Sequence, residues 1–446
     1  MKTILITMSD GEVSKSILHS DIYKLLKSSC NLVFLVHKNK ADYFAKLLKD
    51  EAHIEIMPRA RSPFLEEFFL DLFLYSVPTE SIRVKIEHSY ASGGSLAGKM
   101  IKYLLWSFGH FKAYRMLCRF VYRMVKDRTF DTLLERYAPD LVFAANLTGA
   151  EDARLLKTAH EKGIPTIGMP KGWDNLTLKT LIPVFPDRLL VQTPLLKSDA
   201  ENLDYPRDHI EVVGFPKFDV YADRSSLVSR DDFCRVFNLD PAKKLILYAG
   251  AGDVLAPHDE EILARFLRTI ESGAVKGSPQ VIVRPHPKYV YRAEVLPQAS
   301  FWALDRPGTV VGERLMDFEF TKDDVMHLMN SLYHADLLIH TASTLGVEAA
   351  IFDKPMITIG YEEVPVSPAL STARYYRYEH YDRVITTGGM KVARSFDDLV
   401  RYTNEYLEHP TIDREGRRKI VEENAYRIDG KAGERVAEEV VRMLER

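Results

Sequence analysis

Short apolar runs alternate along the chain with longer stretches in which apolar side chains recur every third or fourth residue. Apolar runs bounded by turn formers predict buried strands, here at 3–7, 32–36, 53–57, 141–145, 165–169, 188–192 and 211–213. Helical periodicity lies between them, as at 40–49, 151–162 and 194–202. Strand, helix, strand at this rhythm builds a parallel sheet covered by helices on both faces. The rhythm then restarts, with strands predicted at 244–249, 281–284, 336–340, 356–360 and 383–386 and helices at 258–270, 323–333, 345–352 and 396–407. The seam is the polar segment GFPKFDVYADRSSLVSRDD, residues 214–232. The pattern therefore predicts two Rossmann-like domains facing each other across a cleft, at 1–220 and 221–415. Residues 416–446 read as helices broken near Asp429-Gly430, the last of which is expected to pack back on the first domain.

One segment breaks the first rhythm. Residues 58–137 are long for a single crossover and rich in aromatic side chains. Lys112, Arg115, Arg119, Arg123 and Lys126 follow steps of three and four, so they share one stripe of a helix. Met116, Leu117, Phe120, Val121 and Met124 lie elsewhere around it. Upstream, Lys99 and Lys102 accompany Met100, Ile101, Tyr103, Leu104, Leu105, Trp106 and Phe108, and Asp127 is the only acid between Ala97 and Arg128. This composition suits either an interfacial helix pair on anionic lipid, across residues 99–128, or helices packed on their own domain with a solvated basic face.

Composition narrows the class. The chain has 446 residues, 46% hydrophobic and 28% charged, with a formal net charge of −3, which excludes a nucleic-acid binder resting on bulk positive charge. Its three cysteines, Cys30, Cys118 and Cys234, are too scattered to suggest a disulfide framework or a zinc site. The start turns polar after Met8, and no run approaches the roughly 20 apolar residues of a membrane span. A cytoplasmic location is expected, peripheral to the inner face of the membrane if residues 99–128 touch lipid.

The candidate chemistry clusters where predicted strands end. Arg284-Pro285-His286-Pro287 closes the strand VIVRPHP; there an imidazole can donate to a phosphate oxygen and a guanidinium can neutralise it, or His286 simply bonds nearby backbone. His340-Thr341-Ala342-Ser343-Thr344 forms the turn before a predicted helix, where Ser343 and Thr344 either cap the helix or meet an anion, with Gly346 giving room. Gly250 and Gly252 follow a strand end and either let backbone approach a ligand or make a tight loop. Glu348 interrupts the apolar run GVEAAIF, either as an acceptor for ribose hydroxyls or as an acid on a solvated helix face. Tyr375, Tyr376, Tyr378 and Tyr381 cluster with Arg374, Arg377 and Arg383, as an acceptor surface or as packing. No metal-ligand spacing stands out, and neither a metal nor another cofactor is expected.

These residues resemble the GT-B glycosyltransferases and their relatives, the UDP-GlcNAc 2-epimerases and polyol-phosphate transferases. Glu348 and Pro355, in EAAIFDKP, match a glutamate followed seven residues on by the proline that opens the next strand; the resemblance implies that Glu348 binds the nucleotide ribose. Arg-Pro-His-Pro is similar to the His-Pro motif of bacterial sialyl-, Kdo- and glycerophosphate-transferases, which implies that His286 contacts the donor phosphate and that Ser343 and Thr344 supply the Ser/Thr pair. PKGWDNLTLKT, PDRLLVQT and VVGFPKFD look like parts of bacterial surface-carbohydrate proteins of the same fold. The likeness covers about residues 140–400. Where retaining members carry a first glutamate, separated from the second by seven intervening residues, this chain has His340, so the resemblance implies inversion.

An inverting transfer needs a base for the acceptor hydroxyl and groups that hold the departing diphosphate. Asp10, in TMSDGEV, is the first candidate base, Asp174, in KGWDNLT, the second and Glu151 the third; each is equally a turn or helix-start acid. The expectation is a glycosyltransferase that moves a sugar from a nucleotide-activated donor to a glycan or lipid-linked acceptor in bacterial envelope synthesis. The rivals are a polyol-phosphate transferase with a CDP-glycerol-type donor, a 2-epimerase, and a non-catalytic nucleotide-binding protein.

Overall fold

The computed structural model describes residues 1–59, 62–312 and 317–445. The chain divides into two compact units, one formed by Met1–Asp219 with the C-terminal stretch from Asp429, the other by Val220–Val310 with residues 317–428.

The first unit carries β1 (Lys2–Met8), β2 (Cys30–Val36), β3 (His53–Ile56), β4 (Leu141–Ala144), β5 (Thr166–Gly168), β6 (Arg188–Val191) and β7 (Ile210–Val212), in the order β3-β2-β1-β4-β5-β6-β7. All neighbours run parallel, with β1 in register from Lys2 opposite Cys30 to Met8 opposite Val36. Both faces are covered, which is why the strands are almost wholly apolar rather than alternating. Ile4, Ile6 and Met8 point into one core with Phe34 and Phe143, while Leu5, Val33 and Val142 point into the other. The helix Ala432–Leu444 returns to the first core through Val436, Val440 and Met443. Its first turn is held by the Asp219 carboxylate, which accepts the Ala432 and Gly433 N–H groups at 3.0 and 2.7 Å.

The second unit carries β8 (Leu245–Ala249), β9 (Gln280–Val283), β10 (Trp302–Leu304), β11 (Thr309–Val310), β12 (Phe318–Glu319), β13 (Leu337–His340), β14 (Met356–Ile359) and β15 (Lys391–Ala393). Its main sheet has the order β10-β9-β8-β13-β14-β15, again all parallel, and β11 and β12 form a separate antiparallel pair. In each sheet the order reverses beside the first strand, at β1/β4 and at β8/β13. Ligands of open α/β sheets sit beyond the carboxyl ends of the strands at such a reversal.

Two expectations change. Residues 383–386 are not a strand; they end the helix Glu379–Thr386, and the edge strand is β15. The β-branched run Val384 to Thr387 resembles a strand, but His380, Tyr381 and Val384 bury one helical face. The second change concerns the insertion between β3 and β4, which contains the helices Pro63–Tyr75, Glu80–Ala91, Leu96–Gly109 and Lys112–Met124. The basic stripe is split: Arg115 and Arg119 are turned inward, while Lys112, Arg123 and Lys126 stay exposed. Arg115 grips Asp204 with two bonds of 2.8 and 2.7 Å, and Arg119 adds a third at 3.0 Å. Spacing assigns side chains to a face, but which face is wet depends on a partner 85 residues away.

Candidate functional site

In the second unit, the loops after β8 and β9 are zipped together. The Gly250 N–H donates to the Arg284 carbonyl at 3.1 Å, and the His286 N–H donates to the Gly250 carbonyl at 2.8 Å. The half-buried His286 ring accepts the Lys288 N–H at Nδ1 (3.2 Å) and lies against Tyr289 with centroids 4.7 Å apart. A neutral ring that accepts at Nδ1 carries its proton on Nε2, the tautomer that donates to an anion.

Three neighbouring assignments are corrected. Arg284 is buried and ion-paired to Asp305, whose other oxygen meets His327 Nε2 at 3.1 Å. Burial pushes the Asp305 carboxyl up, yet the His327 hydrogen bond and the Arg284 charge outweigh it and hold the group low. An incoming phosphate would have to strip a buried carboxylate of its counter-ion, so Arg284 anchors the end of β10 instead. Gly250 and Gly252 do not line open space. A Cβ on Gly250 would collide with the Tyr291 ring; Gly252 has φ +78°, and a Cβ added there would lie 2.6 Å from Tyr289 Cβ. At Gly346 the missing side chain makes room for the His340 imidazole, 3.0 Å from an added Cβ, and not for a phosphate.

His340 is fully buried, and burial alone pushes it down to about 3, so the ring is neutral. Its Nδ1 accepts the Ser343 N–H at 3.2 Å, and Nε2 has no hydrogen-bond partner. Ser343 Oγ accepts the Leu345 N–H at 3.2 Å, whereas Thr344, the residue at the cap position, makes no capping bond. The helix that follows, Leu345–Ile351, has only seven residues, so its dipole adds little to this turn. Within the turn Ala342 adopts φ +42°, a left-handed conformation that costs a residue with a Cβ, and the buried Thr341 hydroxyl has no partner. Strain and an unsatisfied hydroxyl thus coincide at the sheet's reversal point.

Glu348 is neither solvated nor open. It is 4% exposed, and its Oε2 accepts the Tyr221 hydroxyl in a short hydrogen bond. Tyr221, itself buried against Phe352, escapes sequence reasoning because it lies 127 residues away. The tyrosine cluster is packing at this site: Tyr381 reaches the Ser343 carbonyl at 3.4 Å, and Tyr376 bridges Thr358 at 2.8 Å.

In the first unit, Asp10 follows β1 and caps the helix Gly11–Leu18. Its Oδ1 accepts the Glu12 and Val13 N–H groups at 3.1 Å, and its Oδ2 is ion-paired to Lys171. Asp174 pairs with Lys179 at 3.3 Å and makes no capping bond. The structure adds two residues that the sequence does not single out. Asn146, after β4, donates to Ser9 Oγ at 3.0 Å. Asp152, beside the considered Glu151, is fully buried; it accepts Thr7 Oγ1 at 2.6 Å, and its Oδ2 has no partner. Burial pushes its carboxyl up to about 6, against the pull of the Thr7 hydrogen bond. Its position in the first turn of Ala150–Glu161 is visible in the sequence, but its inward rotation is not.

No family model matches the chain, and no curated protein matches it by sequence. Solved structures match end to end. The UDP-GlcNAc 2-epimerase of Neisseria meningitidis, solved bound to UDP-GlcNAc, is 13% identical with a TM-score of 0.57, covering 99% of this chain and 100% of that one. S. aureus MnaA, solved with UDP, is 13% identical with a TM-score of 0.58, over 100% and 97%. CalG4, the calicheamicin glycosyltransferase, is 14% identical with a TM-score of 0.55, over 100% and 99%. The chain has the GT-B fold that glycosyltransferases and UDP-GlcNAc 2-epimerases share.

Proposed function

We propose that this protein is a glycosyltransferase that takes a sugar from a nucleotide-activated donor and passes it, with inversion and without a metal, to a glycan or lipid-linked acceptor of the bacterial cell envelope. The observation behind the reading is that the His286 loop and the strained Thr341–Thr344 turn follow the carboxyl ends of β9 and β13, the two strands on either side of β8. His286 Nε2–H, the Ser343 and Thr344 hydroxyls and nearby backbone N–H groups would meet the donor diphosphate. The acceptor oxygen attacks the anomeric carbon as the bond from that carbon to the diphosphate breaks. The nucleoside diphosphate leaves with the electron pair, and these donors stabilise the charge. The acceptor proton passes to a carboxylate. Asp10 is the first candidate, and its Lys171 ion pair must open for that step; Asp174 is the second. Glu348 would take the ribose once the Tyr221 hydroxyl yields.

The test is a donor panel of UDP-, CMP- and CDP-linked compounds with release of the nucleotide as readout. One nucleotide class is expected to turn over, and His286→Ala to reduce the rate at least about tenfold without lowering the melting temperature. Full activity of His286→Ala removes the phosphate assignment. A 2-epimerase is the second reading, favoured by the several epimerases among the matching structures. Conversion of UDP-GlcNAc in the absence of any acceptor decides for it.

A further inference from the structure

The Lys112–Met124 helix is built inside out. Its packed face carries Arg115, Cys118, Arg119 and Tyr122, while Met116, Leu117, Phe120, Val121 and Met124 face outward at 44–68% exposure. A helix on a water-facing surface normally has the opposite sidedness. The preceding helix, Leu96–Gly109, repeats the arrangement: Leu96, Met100, Ile101, Leu104 and Phe108 are all more than half exposed. Phe111, between the two helices, is 63% exposed. These two helices pack on each other, so the outward apolar side chains belong to consecutive elements of one unit. Scattered exposed apolar residues need no explanation, but this many on neighbouring helices mark an interaction surface.

The flanks say what covers it. Helical spacing places the exposed Lys112 and Arg123 between the apolar and packed faces, and no acid occurs from Ala97 to Lys126. At the end of the helix a cavity of about 250 Å³ is lined by Lys126, Arg128, Arg154 and Lys157. Two carboxylates join them, but Glu66 is paired to Arg154 Nη1 at 3.0 Å and Asp127 accepts the Thr129 N–H at 2.8 Å. Arg154 is 5% exposed, and its Nε has no hydrogen-bond partner. A second copy of the chain is a poor match, because a two-fold contact would set this basic rim against itself. Apolar side chains framed by cations match a bilayer with anionic headgroups. Among the described residues no helix is long and apolar enough to cross a membrane, so the contact is with one leaflet.

We propose that the first unit is a one-leaflet membrane-docking module. The outward faces of Leu96–Gly109 and Lys112–Met124 sink into the hydrocarbon boundary, and the cation-lined cavity receives a lipid headgroup phosphate. Docking is driven by apolar burial, and charge selects the lipid. The inference is independent of the transferase reading, because it rests on other residues and is read by binding alone.

The test is flotation of the full chain with phosphatidylcholine vesicles and with vesicles containing phosphatidylglycerol, each at low and high salt. Recovery is expected with both, several-fold higher with phosphatidylglycerol, and high salt removes only that excess. Leu104→Glu with Phe120→Glu lowers recovery on both at least about tenfold, with an unchanged melting temperature because both side chains are more than half exposed. Lys126→Gln with Arg128→Gln removes only the phosphatidylglycerol excess. Recovery on neither vesicle, or undiminished recovery of the double glutamate variant, overturns the proposal. So does binding to phosphatidylglycerol alone that salt abolishes. A dimer in sedimentation equilibrium that the glutamate variant dissociates, without vesicle binding, gives the face to a second copy and also overturns it.

Discussion

The inward turn of Arg115 and Arg119 makes a quantitative prediction. Among the described residues Asp204 is the only carboxylate bonded to the two guanidiniums; the three side chains are 8%, 4% and 5% exposed, for Arg115, Arg119 and Asp204 in turn. The other partners are the carbonyls of Gly109, Ile182 and Leu203 at 2.7, 3.0 and 2.7 Å and Met116 Sδ at 3.7 Å, with the Phe185 ring 4.4 Å from the Arg119 guanidinium. Burial pulls Arg119 down to about 10 despite Asp204, so it remains charged at neutral pH. Asp204→Asn therefore strands two buried cations. Asparagine tolerates the left-handed backbone of this position (φ +73°), so the charge is the main change. Breaking a buried pair from one side costs about 3–5 kcal/mol. At about 2–4 °C per kcal/mol for a unit of this size, the first unit should melt at least roughly 6–12 °C lower. Calorimetry measures the shift, and Trp106 and Trp173 fluorescence assigns the transition to the first unit, since Trp302 lies in the second. Replacing all three residues with apolar ones of similar volume should recover most of the loss. The pH dependence has a fixed sign. Burial raises the Asp204 carboxyl, but the arginine hydrogen bonds and charges outweigh it and hold it low. Its contribution is thus fully present above the unfolded value of about 3.9 and is lost as pH falls through the lower folded value. A loss below about 1 kcal/mol for Asp204→Asn, or one independent of acid in the wild type, refutes the reasoning.

Two further predictions concern the second unit. Burial pushes Asp259 up to about 7 although it accepts Tyr248 Oη at 2.9 Å and the Ala251 N–H at 3.1 Å, so the folded chain binds more protons than the unfolded one between about pH 4 and 7. Stability should fall as pH rises through that window, and melting curves of Asp259→Asn should be flatter there. Gly250→Ala should destabilise the unit by about 1–3 kcal/mol through the Tyr291 contact, and Tyr291→Ala in the same chain should relieve part of that clash; a neutral Gly250→Ala in denaturant unfolding contradicts the close-packing explanation.

The parallel sheets were legible because strands buried on both faces are written as apolar runs, as in β1, β2 and β8. Edges were harder to read. Trp302–Leu304 is three half-buried residues and carries almost no pattern, while Val384 and its neighbours carry a strand's composition inside a helix. At the candidate site, the positions of His286 and of the 341–344 turn followed from strand ends. The partners that fix their chemistry did not: Asp305 for Arg284, Tyr221 for Glu348 and Lys171 for Asp10 come from distant segments. The left-handed Ala342 has no sequence signature at all, since glycine or asparagine would be the usual choice there.

The central claim is that His286 and the turn after β13 grip a nucleotide through its phosphates. Titration calorimetry of the wild type and His286→Ala with UDP, CDP and CMP, each beside its phosphate-free nucleoside, tests it most directly. The account predicts that one nucleotide binds, that its nucleoside binds at least about tenfold more weakly, and that His286→Ala removes most of that difference. Equal binding of nucleotide and nucleoside, or identical titrations of wild type and variant, would contradict it.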